Sequence, residues 1–484
     1  MDWDCLDELE GLDTGDVRLD KRCVRTFGKI VANPNASITQ AMRGGRADID
    51  GTYRLFNNPK ATWDKILWPH FGKTAKRCSE QKIVLCPHDT TEFDFTRPKQ
   101  QVIGAGPLDG SSRRGAFLHY TMAITPDGIP LGGLAAEIWA REDSDPDAPK
   151  LTESEKRKKR YATPIEEKES GRWLWGFRAI QKHASASSDT TYVSLCDSEG
   201  DIFELFVQPR TANHQYVIRM CQDRVTLDEN GDSRGVIRDV LLAQPVLFTH
   251  EISIRGRQAK VACETRPRRT ARVGRQAVME VRACAATVNT PEHHRRKIAG
   301  RLTLNAVIVR EVNPPEGETP VEWILLTTLP ISTVGQVALV IQYYTVRWKI
   351  EVYFRTLKTG CRVEERRFET LPRMLACAAL YMVVAWRTLF VCCMGRECPD
   401  LDCDAIFDAS EWKSVWAVTH PGKPVPKKPP TLSVMVRLVA TLGGYVDRPT
   451  RPDPPGVETV WRGIQRMHDL ALAWDTFGPG AKTS

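Results

Sequence analysis

The sequence predicts an α/β protein in which helices flank a mixed sheet and helical regions lie at both ends. Three observations support this: short apolar segments that end at acidic residues, a long stretch with alternating apolar positions, and amphipathic segments near both termini. A chain of 484 residues exceeds one ordinary hydrophobic core, so we expect two to four domains.

The first domain is predicted to be helical and to span residues 1–70. Arg18, Arg22, Arg25 and Lys29 recur at steps of three or four residues, so they share one face of a predicted helix. Phosphate groups of a nucleic acid would fit this face, and an ordinary solvated face fits the same spacing.

The central region, residues 71–395, is predicted to hold the mixed sheet. Its first strand, VLCPHD, ends at Asp89, and a hairpin around the turn TPDG follows. A later strand, YVSLCD, ends at Asp197. The polar and charged segment between them, residues 144–170, is interpreted as a mobile loop.

A β-rich insertion is predicted at about 206–330, and the helix after it carries Glu351. The apolar run 374–394 is long enough to suggest a membrane span, but Arg387 interrupts it. A buried core helix is therefore the better interpretation, and we expect no membrane association.

Composition and charge fit a globular protein that meets a polyanion. The net charge is +8 and the sequence pI is about 8.8, which is compatible with such a partner without requiring one. The 14 cysteines include no C-x-x-C pair, so neither zinc nor a disulfide framework is predicted. With an acidic start that lacks an apolar signal segment, we expect a reduced, cytoplasmic protein.

The stretch YYTVRWKIEVYFRTLK, residues 343–358, places four polar side chains together. Tyr344, Arg347, Glu351 and Lys358 fall within about 60° of one another on an ideal helix, beside a separate apolar stripe. From this stretch alone, a solvated helix face with an Arg347–Glu351 ion pair explains the pattern as well.

The acidic residues give the pattern a chemical meaning. A strand, a hairpin, a helix, a further strand and a later helix follow the order of the ribonuclease-H-like fold, with Asp89, Asp197 and Glu351 at the positions that converge in that fold. Three close carboxylates require a cation, and hard divalent ions take oxygen ligands. With 60 acidic residues in the chain, such a triad also arises easily by coincidence.

Several motifs in order resemble those of the bacterial cut-and-paste DDE transposases of the Tn-five type, within the insertion-sequence-four family. The stretch at residues 343–358 is similar to the family signature Y-x2-R-x3-E-x6-K. The segment HDTTEFDF resembles the first aspartate motif of the family, and CDSEGDIFEL resembles the second. KESGRW, residues 302–330 and LGGYVDR also resemble family segments. Ser198 departs from the usual arginine, so no role is carried over to that position.

The resemblance implies a metal-dependent DNA transposase. Such an enzyme nicks the transposon ends, forms hairpins on them, excises the transposon and transfers its strands into target DNA. Asp89, Asp197 and Glu351 would be its catalytic metal ligands, in a two-metal site for Mg²⁺ in which Mn²⁺ can substitute. A ribonuclease-H-like nuclease without transposition and a non-catalytic, domesticated DNA-binding derivative are the alternatives.

The resemblance also implies contacts with double-stranded DNA, both at the transposon ends and in the target. Tyr344, Arg347 and Lys358 would hold the DNA end beside the metals, and Arg219 would assist them. Trp323 would stack on an extruded base while the hairpin forms, although a strand tryptophan is ordinarily a core residue.

The third domain, residues 396–484, is predicted to be helical, and the resemblance implies a homodimer in the DNA-bound complex and is compatible with a monomeric free protein. Segment 456–477 is amphipathic, and its apolar stripe consists of Val460, Ile464, Met467 and Leu470. We expect this stripe to contact the second subunit; folding back onto its own domain is the alternative.

Overall fold

A computed structural model describes residues 5–34, 36–42, 45–109, 112–143, 145, 151–254, 256, 258–259, 271–291, 300–446 and 453–479. The helices are α1 (Val17–Ala32), α2 (Ile38–Ala41), α3 (Arg46–Asn57), α4 (Trp63–Ser79), α5 (Glu153–Ala162), α6 (Gly171–Ala186), α7 (Phe203–Phe206), α8 (Ile237–Leu242), α9 (Val334–Val346), α10 (Trp348–Arg355), α11 (Leu371–Glu397), α12 (Ala409–Thr419), α13 (Leu432–Leu442) and α14 (Val457–Phe477). The strands are β1 (Ile83–Asp94), β2 (Gly106–Pro107), β3 (Arg114–Ile124), β4 (Pro130–Trp139), β5 (Thr191–Cys196), β6 (His214–Arg219), β7 (Val225–Leu227), β8 (Ser233–Val236), β9 (Phe248–Ile254), β10 (Arg275–Asn289), β11 (Arg301–Glu311) and β12 (Glu322–Thr327).

These strands form a sheet in the order β2-β3-β1-β5-β6-β12-β11-β10-β7-β8, with β4 on β3 and β9 on β10. β1 pairs antiparallel with β3 and parallel with β5, and β5 pairs parallel with β6. Strands β4, β3, β1, β5 and β6 therefore have the order and directions of a ribonuclease-H-like core, as the sequence predicts.

The β-rich insertion begins later than the predicted 206–330. His214–Arg219 is β6, which pairs in parallel with β5 and belongs to the core. The inserted strands run from β7 to β12, and β12 pairs antiparallel with β6. Because β6 is as apolar as the strands after it, the local pattern alone does not separate core from insertion.

Helices cover both faces of the core sheet. On one face, α9, α10 and α11 pack on buried side chains such as Leu195, Val217 and Leu325. On the other face, α6 packs through Trp173 and Phe177 against β5, β6 and the inserted strands. Helix α11 is the membrane-length apolar helix among the described residues, and it is mostly buried in this core, as the sequence predicts.

The N-terminal helices join the sheet layer without a clear gap. Helix α1 packs on α3, and both α3 and α4 contact α11. The predicted boundary at residue 70 falls inside α4, which continues from Trp63 to Ser79. The three-domain division therefore stays a prediction.

A buried ion-pair cluster fastens the N-terminal segment to α4. Glu8 is 1% exposed, accepts a 2.7 Å hydrogen bond from Arg77 Nη1 and lies 2.5 Å from His70 Nδ1. Burial alone raises the pKa of Glu8, but His70 and Arg77 outweigh it and lower this pKa from 4.5 to about 2. The charged form of Glu8 is thus a stabilising component.

The Glu8→Gln variant is expected to lose about 3 kcal/mol of unfolding free energy at neutral pH. Since the folded pKa is depressed, the stabilisation is complete above pH 4.5 and disappears as the pH falls towards 2. Urea unfolding from pH 7 to pH 2.5 should therefore show the gap between variant and wild type closing below pH 4.5. Glu10→Gln, at an exposed carboxylate that pairs with Lys73, is the matched control and should change stability much less.

The C-terminal helix folds onto its own domain, so the predicted dimer stripe is wrong. Val460, Ile464 and Met467 are buried against α11, α12 and α13. The amphipathic pattern marks a core-facing side, which sequence periodicity does not distinguish from an interface. In place of this stripe, α14 presents the exposed side chains of Leu472 and Phe477 to solvent.

Helices α13 and α14 approach each other closely at two glycines. A Cβ on Gly463 would lie 1.8 Å from the Val439 carbonyl oxygen, and a Cβ on Gly443 would lie 1.9 Å from the Thr459 carbonyl oxygen. Neither position accepts a side chain without separating the two helices.

Candidate active site

Asp89 lies within β1, and Asp197 directly follows β5, the parallel neighbour of β1. The register pairs Pro87 with Leu195, so continuing it by two residues sets Asp89 opposite Asp197. Adjacent strands lie about 4.8 Å apart, and side chains alternate between the two faces. Both acids therefore share the sheet face of Leu195, on which α9, α10 and α11 pack.

Glu351 approaches these strands from α10, and an arginine connects it to Asp89. Arg347 donates hydrogen bonds to Glu351 Oε1 at 2.7 Å and to Asp89 Oδ2 at 3.2 Å. The Arg347 side chain is only 9% exposed, so this bridge is largely removed from water. The structure thus brings a strand acid and a helix acid to one guanidinium.

The surroundings of Asp89 change the pKa of its carboxyl group. Burial, and next the charge of Asp197, raise the pKa of Asp89 from 3.8 to about 7. Arg347 and the Thr90 N–H, which donates to Asp89 Oδ1 at 2.8 Å, oppose this rise but do not cancel it, and Glu351 adds to it. The carboxylates therefore lie close enough to repel one another.

The predicted single helix across residues 343–358 is two helices and a wide turn. Tyr344 lies in the last turn of α9, Arg347 is the junction residue, and Glu351 lies on α10. Lys358 lies in a π-helical turn, Thr356–Gly360. Arg347 N–H bonds to the Tyr344 carbonyl oxygen, an i to i+3 contact that tightens the chain at the junction.

The four signature residues nevertheless lie around one site. Tyr344 is buried, and the Arg347 guanidinium lies 5.9 Å from its ring centroid. Lys358 Nζ lies 3.4 Å from Thr91 Oγ1, two residues beyond Asp89 on β1. Tyr344 is thus a wall of the site, whereas Lys358 lies at its margin.

Arg219, at the end of core strand β6, and Trp323, on inserted strand β12, extend the site towards the insertion. The β5–β6 register pairs Cys196 with Ile218, so its next step sets Asp197 beside Arg219. Arg219 pairs with Leu325 of β12, and Trp323 is two residues from Leu325 on the same face. Trp323 is half-buried and packs against the main core, which leaves part of its ring accessible.

The donor set fits a hard divalent cation. Three carboxylates supply oxygen ligands of the kind that such ions prefer, and burial followed by the charge of Asp197 raises the pKa of Asp89. Across the described part of the chain, no cluster of three acidic, histidine or cysteine side chains is closed tightly enough to hold a metal as it stands. Arg347 spans Asp89 and Glu351 instead, so a cation here would compete with its guanidinium.

The predicted basic face of α1 exists, but an acid partly neutralises it. The Asp48 carboxylate of α3 forms salt bridges with Arg22 at 3.0 Å, Arg25 at 2.8 Å and Lys29 at 2.6 Å. Arg18 is exposed one turn earlier. The four cations share one surface, as predicted, with one carboxylate among them.

Two contacts beside the acids were not predicted from the sequence. Arg172 of α6 bonds to Thr90 and Glu199, the neighbours of the two aspartates. Asp201 is 1% exposed and accepts a hydrogen bond from the Cys221 N–H at 2.7 Å. The KESGRW segment contains Arg172, but nothing local signals contacts with residues 82 and 27 positions away.

A ribonuclease-H-like sheet with acids on two parallel strands and on a later helix defines the DDE class of proteins. Three family models match the chain in order: Transposase DNA-binding at 2–61, Transposase DDE domain at 208–385 and Transposase Tn5 dimerisation domain at 383–473. The chain belongs to the Tn5-type DDE transposases, and the DDE domain makes its catalytic site dependent on a divalent metal. The DDE match includes Glu351 and begins after Asp197.

A solved structure of a piggyBac transposase synaptic complex with hairpin DNA is also similar to this chain. The identity is 10% and the TM-score is 0.32. The match covers 84% of this chain and 61% of that one, so the chain spans less than two thirds of that protein.

Proposed function

We propose that this protein binds the ends of a mobile DNA segment, nicks them, forms hairpins, excises the segment and joins it to target DNA. One observation carries the proposal: Asp89 lies on β1, Asp197 directly follows the parallel neighbour β5, and Arg347 links Asp89 to Glu351 of α10. The family models for DNA-binding, DDE and dimerisation domains support the same activity.

Asp89, Asp197 and Glu351 would hold the metal ions, which we propose to be Mg²⁺, with Mn²⁺ as a substitute, in a two-metal site. When bound, such ions activate a water or hydroxyl nucleophile and stabilise the leaving oxygen of a phosphodiester. Arg347, released from the carboxylates as the cations enter, would be free to hold a DNA phosphate.

The remaining residues would position the DNA. Lys358 and Arg219 lie on opposite sides of the acids, where each can contact the backbone of the bound end. Tyr344 is buried, so it would form a wall of the site. The cations of α1 would contact phosphates of the transposon end.

We also propose that two subunits assemble on two DNA ends, and that the region matched by the dimerisation model makes the contact. The apolar stripe of α14 is occupied inside its own domain, so the contact would use another surface. A protein with this activity acts inside the cell, and we propose the cytoplasm.

A cleavage assay tests the proposal. Full-length protein is incubated with linear DNA that carries the inverted repeats flanking its coding region, with Mg²⁺ or with a chelator. We expect a nick, then a hairpin, and neither with the chelator. Nicks without hairpins would indicate a plain ribonuclease-H-like nuclease, and binding without nicks would indicate a non-catalytic derivative.

Trp323→Ala is expected to preserve the first nick and to slow hairpin formation about tenfold to a hundredfold. A nick needs no extruded base, whereas a hairpin requires a sharp bend that aromatic stacking stabilises by about 1–3 kcal/mol. Single-turnover kinetics on end-labelled DNA separate the two steps. Trp323→Phe retains an aromatic ring and should recover most of the loss; equal slowing of both steps would mean that Trp323 only packs the core.

A further inference from the structure

Arg172 contacts both aspartate segments from the opposite face of the sheet. It is the second residue of α6, and its side chain is 16% exposed. Its Nε donates to Thr90 Oγ1 at 2.8 Å, and its Nη2 donates to Glu199 Oε2 at 2.6 Å. Its Nη1 donates to the Glu169 carbonyl oxygen at 2.8 Å, so the guanidinium is itself held in place.

The two residues that Arg172 contacts are those that orient the aspartates. The Thr90 N–H donates to Asp89 Oδ1 at 2.8 Å, and the Glu199 N–H donates to Asp197 Oδ1 at 2.9 Å. Each carboxylate is therefore one hydrogen bond away from a residue whose side chain Arg172 holds. The same relation occurs beside both acids, although Thr90 and Glu199 are more than 100 positions apart in the chain.

A connection of this kind is needed because the ladder between the two strands stops short of both acids. Beyond Pro87 and Leu195 no backbone pair joins β1 to β5, so ladder hydrogen bonds do not hold the two ends together. A planar guanidinium with donors in fixed directions sets the distance between two acceptors more firmly than a flexible ammonium.

We infer that Arg172 is a positioning residue that fixes the separation of the Asp89 and Asp197 carboxylates, and so sets the affinity of the site for its divalent cation. The inference rests on the proposed role of these aspartates as metal ligands. Arg172 touches neither carboxylate and acts through Thr90 and Glu199.

Mn²⁺ binding to the full-length protein without DNA, measured by the electron paramagnetic resonance signal of free Mn²⁺, tests the inference. Arg172→Gln should weaken Mn²⁺ binding about tenfold or more, as loss of partners behind metal ligands generally does. Saturating Mn²⁺ should restore nicking of end DNA towards the wild-type rate. Arg172→Lys, which keeps the charge without the fork, should recover little of the affinity.

Arg178→Gln is the matched control, since Arg178 lies on the same helix, is more exposed and pairs with Glu166 at 3.3 Å. It should leave Mn²⁺ affinity unchanged. Glu199→Ala removes the other end of the contact at an exposed side chain, so it tests the inference even where Arg172→Gln fails to fold. The double variant should lose less affinity than the sum of the single losses.

The outcomes separate the inference from the proposed function. Unchanged Mn²⁺ affinity in folded Glu199→Ala, or a lower melting temperature with unchanged affinity in Arg172→Gln, would overturn the positioning role alone. A wild-type protein that binds no Mn²⁺ and cuts no DNA would overturn both.

Discussion

Asp89→Asn, Asp197→Asn and Glu351→Gln are each expected to reduce strand cleavage about a thousandfold or more while DNA-end binding stays close to wild type. Each amide keeps the shape of the side chain but removes a charged oxygen ligand, and metal ions supply several kcal/mol of transition-state stabilisation. Binding rests on many phosphate and base contacts elsewhere, so it should persist.

Cleavage of labelled end DNA and a gel-shift titration on the same preparations provide the two measurements. Asp94→Asn is the matched control. Asp94 lies on β1 with Asp89, but its Oδ2 accepts a 2.8 Å hydrogen bond from Arg113 Nε, outside the site. It should cut normally. Normal cleavage by Asp197→Asn, or a loss of binding that parallels the loss of cleavage, would contradict the assignment of these acids.

Gly463→Ala is expected to destabilise the C-terminal helices by about 2–3 kcal/mol, although alanine ordinarily favours a helix over glycine by about 1 kcal/mol. The added Cβ would lie 1.8 Å from the Val439 carbonyl oxygen, so α13 and α14 must separate. Thermal unfolding measures the change, and a gel shift with two labelled ends measures paired-end assembly, which should weaken with it.

Gly456→Ala is the appropriate comparison, since a Cβ there meets no atom within 4 Å. It precedes the same helix and should change the melting temperature far less. An unaltered melting temperature for Gly463→Ala would mean that the two helices adjust freely and that their close approach is not needed.

The core was predictable because its signals are local. An apolar segment that leads to an acid occurs twice, and parallel pairing of the two strands brings Asp89, within β1, close to Asp197, which follows β5. The sequence predicts that the Glu351 helix is one continuous α-helix. Its tight turn at Arg347 and wide turn at Lys358 leave the residue spacing almost unchanged, so periodicity does not reveal them.

Other features depended on contacts that no local pattern records. The segment interpreted as a loop contains α5, and its start did carry a signal: the Thr152 hydroxyl accepts from the Glu155 N–H, in a capping box. The α14 stripe was assigned to an interface because an apolar face does not identify its partner. Arg172 acts only through residues that are distant in sequence, so it became visible in three dimensions alone.

The pairing of β6 with β12 has a mechanical consequence. Arg219 and Leu325 are opposite each other in one hydrogen-bonded ladder, so the strand that bears Trp323 is joined directly to the strand that ends beside Asp197. The acidic site and Trp323 therefore belong to one continuous sheet. Under the proposed function, a DNA end that turns back on itself would bend against this continuous surface of the protein.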